Sequence, residues 1–348
     1  TAYVNDVEVS PDGHWAFLPT SPIKTRENDP LGGGLVAVGD YGIQVVDVAD
    51  PAAPALATVW VAPDPDRMGY HRVDLEVIQG QLHVFGASLG YPRVDILRFE
   101  PAPVPHLVFV STYLSDDARN PMLDRGSHPG GYGIHDVTVD PDPIDGFPLM
   151  AVAHWRSGAH FVDVSDPANP RFLGRWNDFP LEGGNVHNVE FTRIEGRRVA
   201  VAAPEYPNPD VQGTLWVVDF TDFSAPVLLG NWSLPGNHPT GGAAPATGNH
   251  VFSTNRVLLR NGTLFDAHFH AGAIVLDIGT LAKAARPELL GFVLPRGQTR
   301  VPYFETGANP YIYDAIPYGR WLVYTDLTGG VHVAEMDPEV VRGNAWAG

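Results

Sequence analysis

The stretch GAHFVDVSDPANPRFLGRW (Gly158–Trp176) decides the fold. It reads as a β-rich run, a tight turn and a second β-rich run. Asp163 can end the first strand, and Asp166 can bond its own backbone ahead. Pro167 and Pro170 fix φ and cannot donate to a ladder. The same unit returns as GIQVVDVADPAAPALATVWV from Gly42 and GTLWVVDFTDFSAPVLLGNW from Gly213. GAIVLDIGTLAKAARPELLGFV from Gly272 carries it with an expanded turn, GGVHVAEMDPEV from Gly329 truncates it, and GYPRVDILRFEPAPVPHLVFVSTY from Gly90 is a degenerate copy. Six copies are counted in this way.

A second hairpin type lies between them: NDVEV with HWAFLP, HDVTV with PLMAVAH, HNVEF with RRVAVAA, TNRVLL with TLFDAH, and YIYDAI with WLVYTD. Two hairpins make four antiparallel strands, which is one propeller blade. The 37 Gly and 33 Pro mark many turns and few long helices, and a period near fifty residues with this content favours a β-propeller over a sandwich. Only 279–290 has helical character. The expectation is a single β-propeller domain over residues 1–348, with six four-stranded antiparallel blades; seven is the alternative. An N-terminal strand is expected to close the ring against the last blade, because the chain runs on past Met336 without an obvious fourth strand.

The VVDVADP and FVDVSDPANP units resemble the LVIVD-repeat family of β-propellers, and LVYTDLTGGVHV resembles that family's last blade. The resemblance spans nearly the whole chain. It implies the propeller fold and an exported or surface-associated protein of bacterial or archaeal type. It implies no reaction, since that family has no single activity.

Bulk properties narrow the function classes. Charged residues make up 18% of the 348 and hydrophobic ones 44%, which suits a globular chain. A formal charge of −18 argues against nucleic acid and anionic membrane surfaces. No apolar run is long enough to span a bilayer. The chain has no cysteine, so disulfides and thiolate metal sites are excluded. The opening TAYVNDVEV is not a signal peptide and reads as a mature N-terminus, with a secreted, periplasmic or cell-surface location expected. Asn231-Trp232-Ser233 and Asn261-Gly262-Thr263 match the glycosylation sequon, at chance frequency for this length. No GxSxG elbow appears. LGGGLVAVGD leads into no helix, and DPDPID (140–145) lacks EF-hand spacing and reads as a solvated turn. Trp155, Trp176 and Trp232 follow the repeat and are read as blade packing.

Antiparallel connectivity puts the start of each first strand and the end of each second strand on one face. At first-strand starts stand Asn5, His71 or Arg72, His135, His187, Thr254 or Asn255, and Tyr311 or Tyr313. At second-strand ends stand Asp40, His154, Glu205, His268 with His270, and Asp326. Regular strand geometry there gives His268 and His270 a common orientation. Imidazoles with some carboxylate suit Zn, Cu, Fe or Mn. His135, His187, His154, His268, His270, Asp326 and His71 are therefore the candidate metal ligands. Arg156 or Arg72 is assigned to an anionic substrate or intermediate, Tyr311 and Tyr313 to proton supply, and Glu205 to the same catalytic set. The alternative for each histidine is packing between blades.

Two function classes follow. One is a metal-dependent enzyme acting on a small molecule, with hydrolase, lyase and oxygenase chemistry unresolved. The carotenoid cleavage oxygenases and the amidating lyase of peptide hormones hold histidine-bound metals in propellers, an analogy of fold only. The other class is a non-catalytic surface module using loops 19–34, 114–134 and 233–250. A metal-free acid–base enzyme, as in some propeller sulfotransferases, is a third.

Overall fold

A computed structural model of the chain describes residues 2–22, 41–62, 69–88, 92–115, 133–155, 157–178, 186–204, 214–233, 254–269, 271–293, 312–326 and 329–337. The chain is an all-β, six-bladed propeller. The first sheet holds β1 (Ala2–Val4), β2 (Glu8–Val9), β3 (Trp15–Pro22), β4 (Gly42–Asp47) and β5 (Ala55–Val61). The second runs β6 (Arg72–Ile78), β7 (Gln81–Ser88), β8 (Arg93–Glu100) and β9 (His106–Leu114). The third runs β10 (Ile134–Pro141), β11 (Pro148–His154), β12 (Gly158–Asp163) and β13 (Arg171–Trp176). The fourth runs β14 (Asn188–Ile194), β15 (Arg197–Ala203), β16 (Leu215–Asp219) and β17 (Val227–Trp232). The fifth runs β18 (Arg256–Arg260), β19 (Thr263–Ala267), β20 (Ala273–Asp277) and β21 (Glu288–Val293), with α1 (Leu281–Ala285) before its last strand. The sixth, among the described residues, holds β22 (Ile312–Tyr318), β23 (Trp321–Asp326) and β24 (Gly330–Glu335).

Two compact units divide the chain. One comprises residues 1–142, 146–155 and 160–173; the other comprises 143–145, 156–159 and 174–348. In the first unit, Phe17, Ile43, Val45, Tyr70, Val84 and Leu97 form one core between the first and second sheets. Phe85, Ile96, Ile134, Val137, Met150 and Val152 form another between the second and third. In the second unit, Val199, Val201, Val257, Ile274 and Leu276 fill the space between the fourth and fifth sheets. Phe265, Val275, Ile312 and Leu322 do so between the fifth and sixth. Middle strands therefore bury both faces, as β16 does throughout, while outer strands such as β5 and β17 are mostly exposed or half-buried.

The turn chemistry matches the sequence reading. Asp47, Asp163, Asp219 and Asp277 each end the third strand of a sheet and accept the backbone N–H two residues on. Asp50, Asp166 and Asp222 repeat the device within the same turns. The fourth strands carry a bulge at the same place in four sheets. The glycine that opens the third strand is required by close approach. A Cβ on Gly158, at φ +97°, would sit 2.0 Å from the carbonyl oxygen of Trp176 in the neighbouring strand.

Two expectations change. Both N-terminal strands pair with β3, Ala2–Val4 against Thr20–Pro22 and Glu8–Val9 against Ala16–Phe17, so neither is placed on the last sheet. The short turn at Ser10–Gly13, held by Ser10 and Asp12, makes this pairing local and its loop closure cheap. The helix over 279–290 shrinks to 281–285, capped by Thr280. Pro287 forces Arg286 out of the helical region, and β21 begins directly after it. Residues 140–147 form the solvated turn expected, closed by Asp142 N–H to Phe147 C=O at 2.6 Å.

Candidate functional site

Each sheet pairs its first-strand start with its second-strand end. The N–H groups of His71, His187 and Asn255 donate to the carbonyls of Ala87, Ala203 and Ala267. Ile134 faces His154, and Ile312 faces Asp326. The candidate residues thus lie at one end of their own sheets. His71, His135 and His154 belong to the first unit, and His187, His268, Tyr313 and Asp326 to the second. Arg156, Glu205, His270 and Tyr311 lie outside the described residues, as do Asp40, His128, His238 and His250.

In the first unit the imidazoles pack against one another and against polar neighbours. The Asn5 amide lies 2.6 Å from His71 Nε2. The His71 and His135 rings meet edge-on with centroids 4.2 Å apart, and His135 lies 5.2 Å from Trp155. Desolvation, reinforced by the Arg72 charge, holds His71 well below the usual imidazole range, so it is neutral at physiological pH. His154 stacks on His160 at 5.3 Å, and the Tyr113 hydroxyl lies 3.0 Å from His160 Nδ1. His160 is buried in this contact.

The second unit contains a different arrangement. Asp266 is on β19, and the strand ends one residue later. His268 N–H then bonds Gly272 C=O, Ala271 N–H bonds His268 C=O, and Phe269 adopts φ +31°. DAHFHAG is therefore a strand end followed by a tight turn. β19 ends at Ala267, so His268 lies beyond the regular strand, and His270 is outside the described residues. His268 and Asp266 are both 0% exposed. The Asp266 Oδ2 atom accepts from His268 Nδ1 at 2.8 Å. The Thr254 hydroxyl is more distant, 3.5 Å from the same nitrogen, and the Trp232 ring stands edge-on at 6.4 Å. His268 Nε2 is buried and has no hydrogen-bond partner among the described residues.

His187 is buried beside β14. Tyr313 contributes its carbonyl, which accepts from the Asn255 side chain, and its ring lies 6.5 Å from Phe269. Asp326 is buried at the end of β23, and its charge adds to burial in raising the Tyr324 hydroxyl pKa. Among the described residues no three His, Asp or Glu side chains converge in a group able to hold a metal ion.

Sequence reasoning passed over the residues next to the histidines. Asp6 accepts the Val73 N–H, Asp74 the Val139 N–H, Asn188 the Val257 N–H and Glu190 the Leu259 N–H. The first strand of a sheet has an unpaired edge, and side chains from the preceding sheet satisfy it. Arg72, itself 1% exposed, reaches Asp6 at 3.3 Å and Asp136 at 4.0 Å. Arg256 pairs with Asp314 at 3.3 Å. The recurring polar-apolar-polar run after each strand start (DVE, RVD, NVE) was the available signal.

The LVIVD repeat model matches residues 35–60 and 151–178. No curated protein sequence matches the chain. Among solved structures, one described as a candidate 6-phosphogluconolactonase from Bacteroides fragilis is similar with a TM-score of 0.60 and 12% identity, over 96% of this chain and 80% of that one. A chain in the crystal structure of the mitotic checkpoint complex is similar with a TM-score of 0.56 and 9% identity, over 97% of this chain and 78% of its own. At such identities the likeness is one of fold. The chain is thus a six-bladed β-propeller that carries LVIVD repeat matches at two places, consistent with an LVIVD-repeat propeller.

Proposed function

We propose that the protein is a metal-dependent enzyme acting on a small molecule, with His268 as one metal ligand. The observation that carries the reading is the buried, unpartnered Nε2 of His268. A buried acceptor left unsatisfied costs about 1–3 kcal/mol. A bound cation or a substrate proton at that atom removes the cost. Imidazole suits Zn, Cu, Fe or Mn, and a bound ion of this kind supplies Lewis-acid activation of water or of a carbonyl. The remaining ligands are sought among the other histidines and carboxylates of the same sheet ends. We place the protein outside the cytoplasm, where a cysteine-free chain loses nothing to oxidation.

Metal analysis of the purified protein tests this. The expected result is about one transition-metal ion per chain, removable by chelator and absent from His268→Ala. A wild-type protein that retains none of the four metals after loading and dialysis overturns it. The second reading, a non-catalytic interaction module, draws support from the first unit, where His71 is engaged by Asn5 and by the His135 ring rather than aimed at a ligand.

A further inference from the structure

The geometry points to Asp266 as a positioning residue that presents His268 Nε2 to a cation. This assignment rests on the reading of His268 as a metal ligand. Asp266 lies near the end of β19 and His268 just beyond it, and their side chains meet there. Asp266 Oδ2 is 2.8 Å from His268 Nδ1, inside charge-assisted hydrogen-bond range. The Nδ1 proton is held there, and the lone pair is left on Nε2. An imidazole that donates one ring N–H to a carboxylate is the usual form of a metal-bound histidine, because the carboxylate fixes the ring and raises its basicity.

Two further observations agree. Asp266 is 0% exposed, and His268 is its one hydrogen-bond partner among the described residues; its Oδ1 has none. A carboxylate so placed is poorly compensated in a low-dielectric interior, and a dication across the imidazole balances it. The dyad is also held from several sides. His268 N–H is fixed by Gly272, Thr254 is buried beside Nδ1, and Trp232 closes one flank. The ring therefore has little freedom to turn Nε2 elsewhere.

The experiment combines histidine ¹⁵N NMR with zinc competition against a chromophoric chelator. Wild-type His268 is expected in the Nδ1–H tautomer. Asp266→Ala is expected to mix the tautomers and to weaken zinc binding about 10- to 100-fold without changing its stoichiometry. Asp266→Asn keeps an acceptor oxygen, so the tautomer should persist and affinity should fall less. An Nε2–H tautomer in the wild type overturns the assignment, and so does an Asp266→Ala protein with unchanged tautomer and affinity. If Asp266→Ala does not fold, unchanged zinc affinity in Asp266→Asn overturns it instead. A wild-type protein that takes up no zinc, copper, iron or manganese refutes the metal reading, while the tautomer still decides whether Asp266 positions the ring.

Discussion

Three glycines hold the same place in the repeat, in FLGRW, LLGNW and LLGFV, yet their surroundings differ. A Cβ built on Gly174 falls 1.6 Å from the carbonyl oxygen of Phe223, in the Asx turn of the fourth sheet. One built on Gly230 falls 2.2 Å from the carbonyl oxygen of Ala285, at the end of α1. Ordinary contact begins near 3.4 Å, so Gly174→Ala is short by 1.8 Å (3.4 less 1.6). The obstacle in both cases is backbone, which cannot rotate away as a side chain can. The fourth strand of one sheet must therefore retreat from the turn of the next. Overpacking a fitted site costs about 1–3 kcal/mol and sometimes more. Against it stands the gain from removing a strand glycine, about 0.5–1 kcal/mol. We expect Gly174→Ala to lose about 3 kcal/mol and Gly230→Ala about 2 kcal/mol on this scale. Gly291, with nothing described within 4 Å, is the matched control. Its alanine variant should be neutral, or more stable by up to about 1 kcal/mol. Urea unfolding followed by tryptophan fluorescence and by circular dichroism reads all three, and agreement of the probes checks that one transition is being measured. Equal midpoints for the alanine variants of Gly174 and Gly291 would refute the claim that close approach between sheets fixes this glycine.

Two more predictions concern the polar contacts between first strands. Asp74 has its pKa raised well above the usual carboxylate value by desolvation first and by the Glu8 charge next, with Asp140 adding and the Val139 N–H opposing. A raised folded-state pKa means that its stabilising contribution is full below the unfolded value and is lost as pH rises through the folded one. Asp74→Asn keeps an acceptor for Val139, so its urea midpoint should exceed that of the wild type at pH 7, and the gap should narrow towards pH 4. Arg72→Met leaves Asp6 without its buried cation, and a loss of about 3–5 kcal/mol is expected in the same assay. A change under about 1 kcal/mol would show the triad to be replaceable by apolar packing.

What was legible in the sequence follows the range of each interaction. The turn of Asp163 and Asp166 bonds within two residues of itself, so its letters specify it wherever it recurs. The repeated glycine at the start of each third strand is almost as local, since Trp176, the residue that Gly158 makes room for, is in the next strand of the same repeat. The partners of Gly174 and Gly230 are in the next blade, and no motif around those glycines distinguishes them from Gly291. The first-strand carboxylates illustrate the limit best. Asp6, Asp74, Asn188 and Glu190 alternate with apolar residues, which by itself reads as the wet side of a half-buried strand. Their partners lie 65 to 69 residues away, and only the packing of neighbouring sheets shows that they cap backbone N–H groups.

The histidines divide along the same line. Antiparallel order alone put each at the correct end of its sheet, and that holds for His71, His154, His187 and His268. Whether an imidazole packs or presents a free nitrogen depends on its immediate partners, which sequence order does not supply. Asp266 is the exception that was within reach. It stands two residues before His268 in DAHFHAG, close enough along the chain for the two side chains to meet. A carboxylate at that spacing cannot easily serve as a second ligand to an ion at the far nitrogen, because it already occupies the near one at 2.8 Å. The residue most informative about the candidate site is thus one that would not touch the metal, and its effect is read in the ring proton it holds.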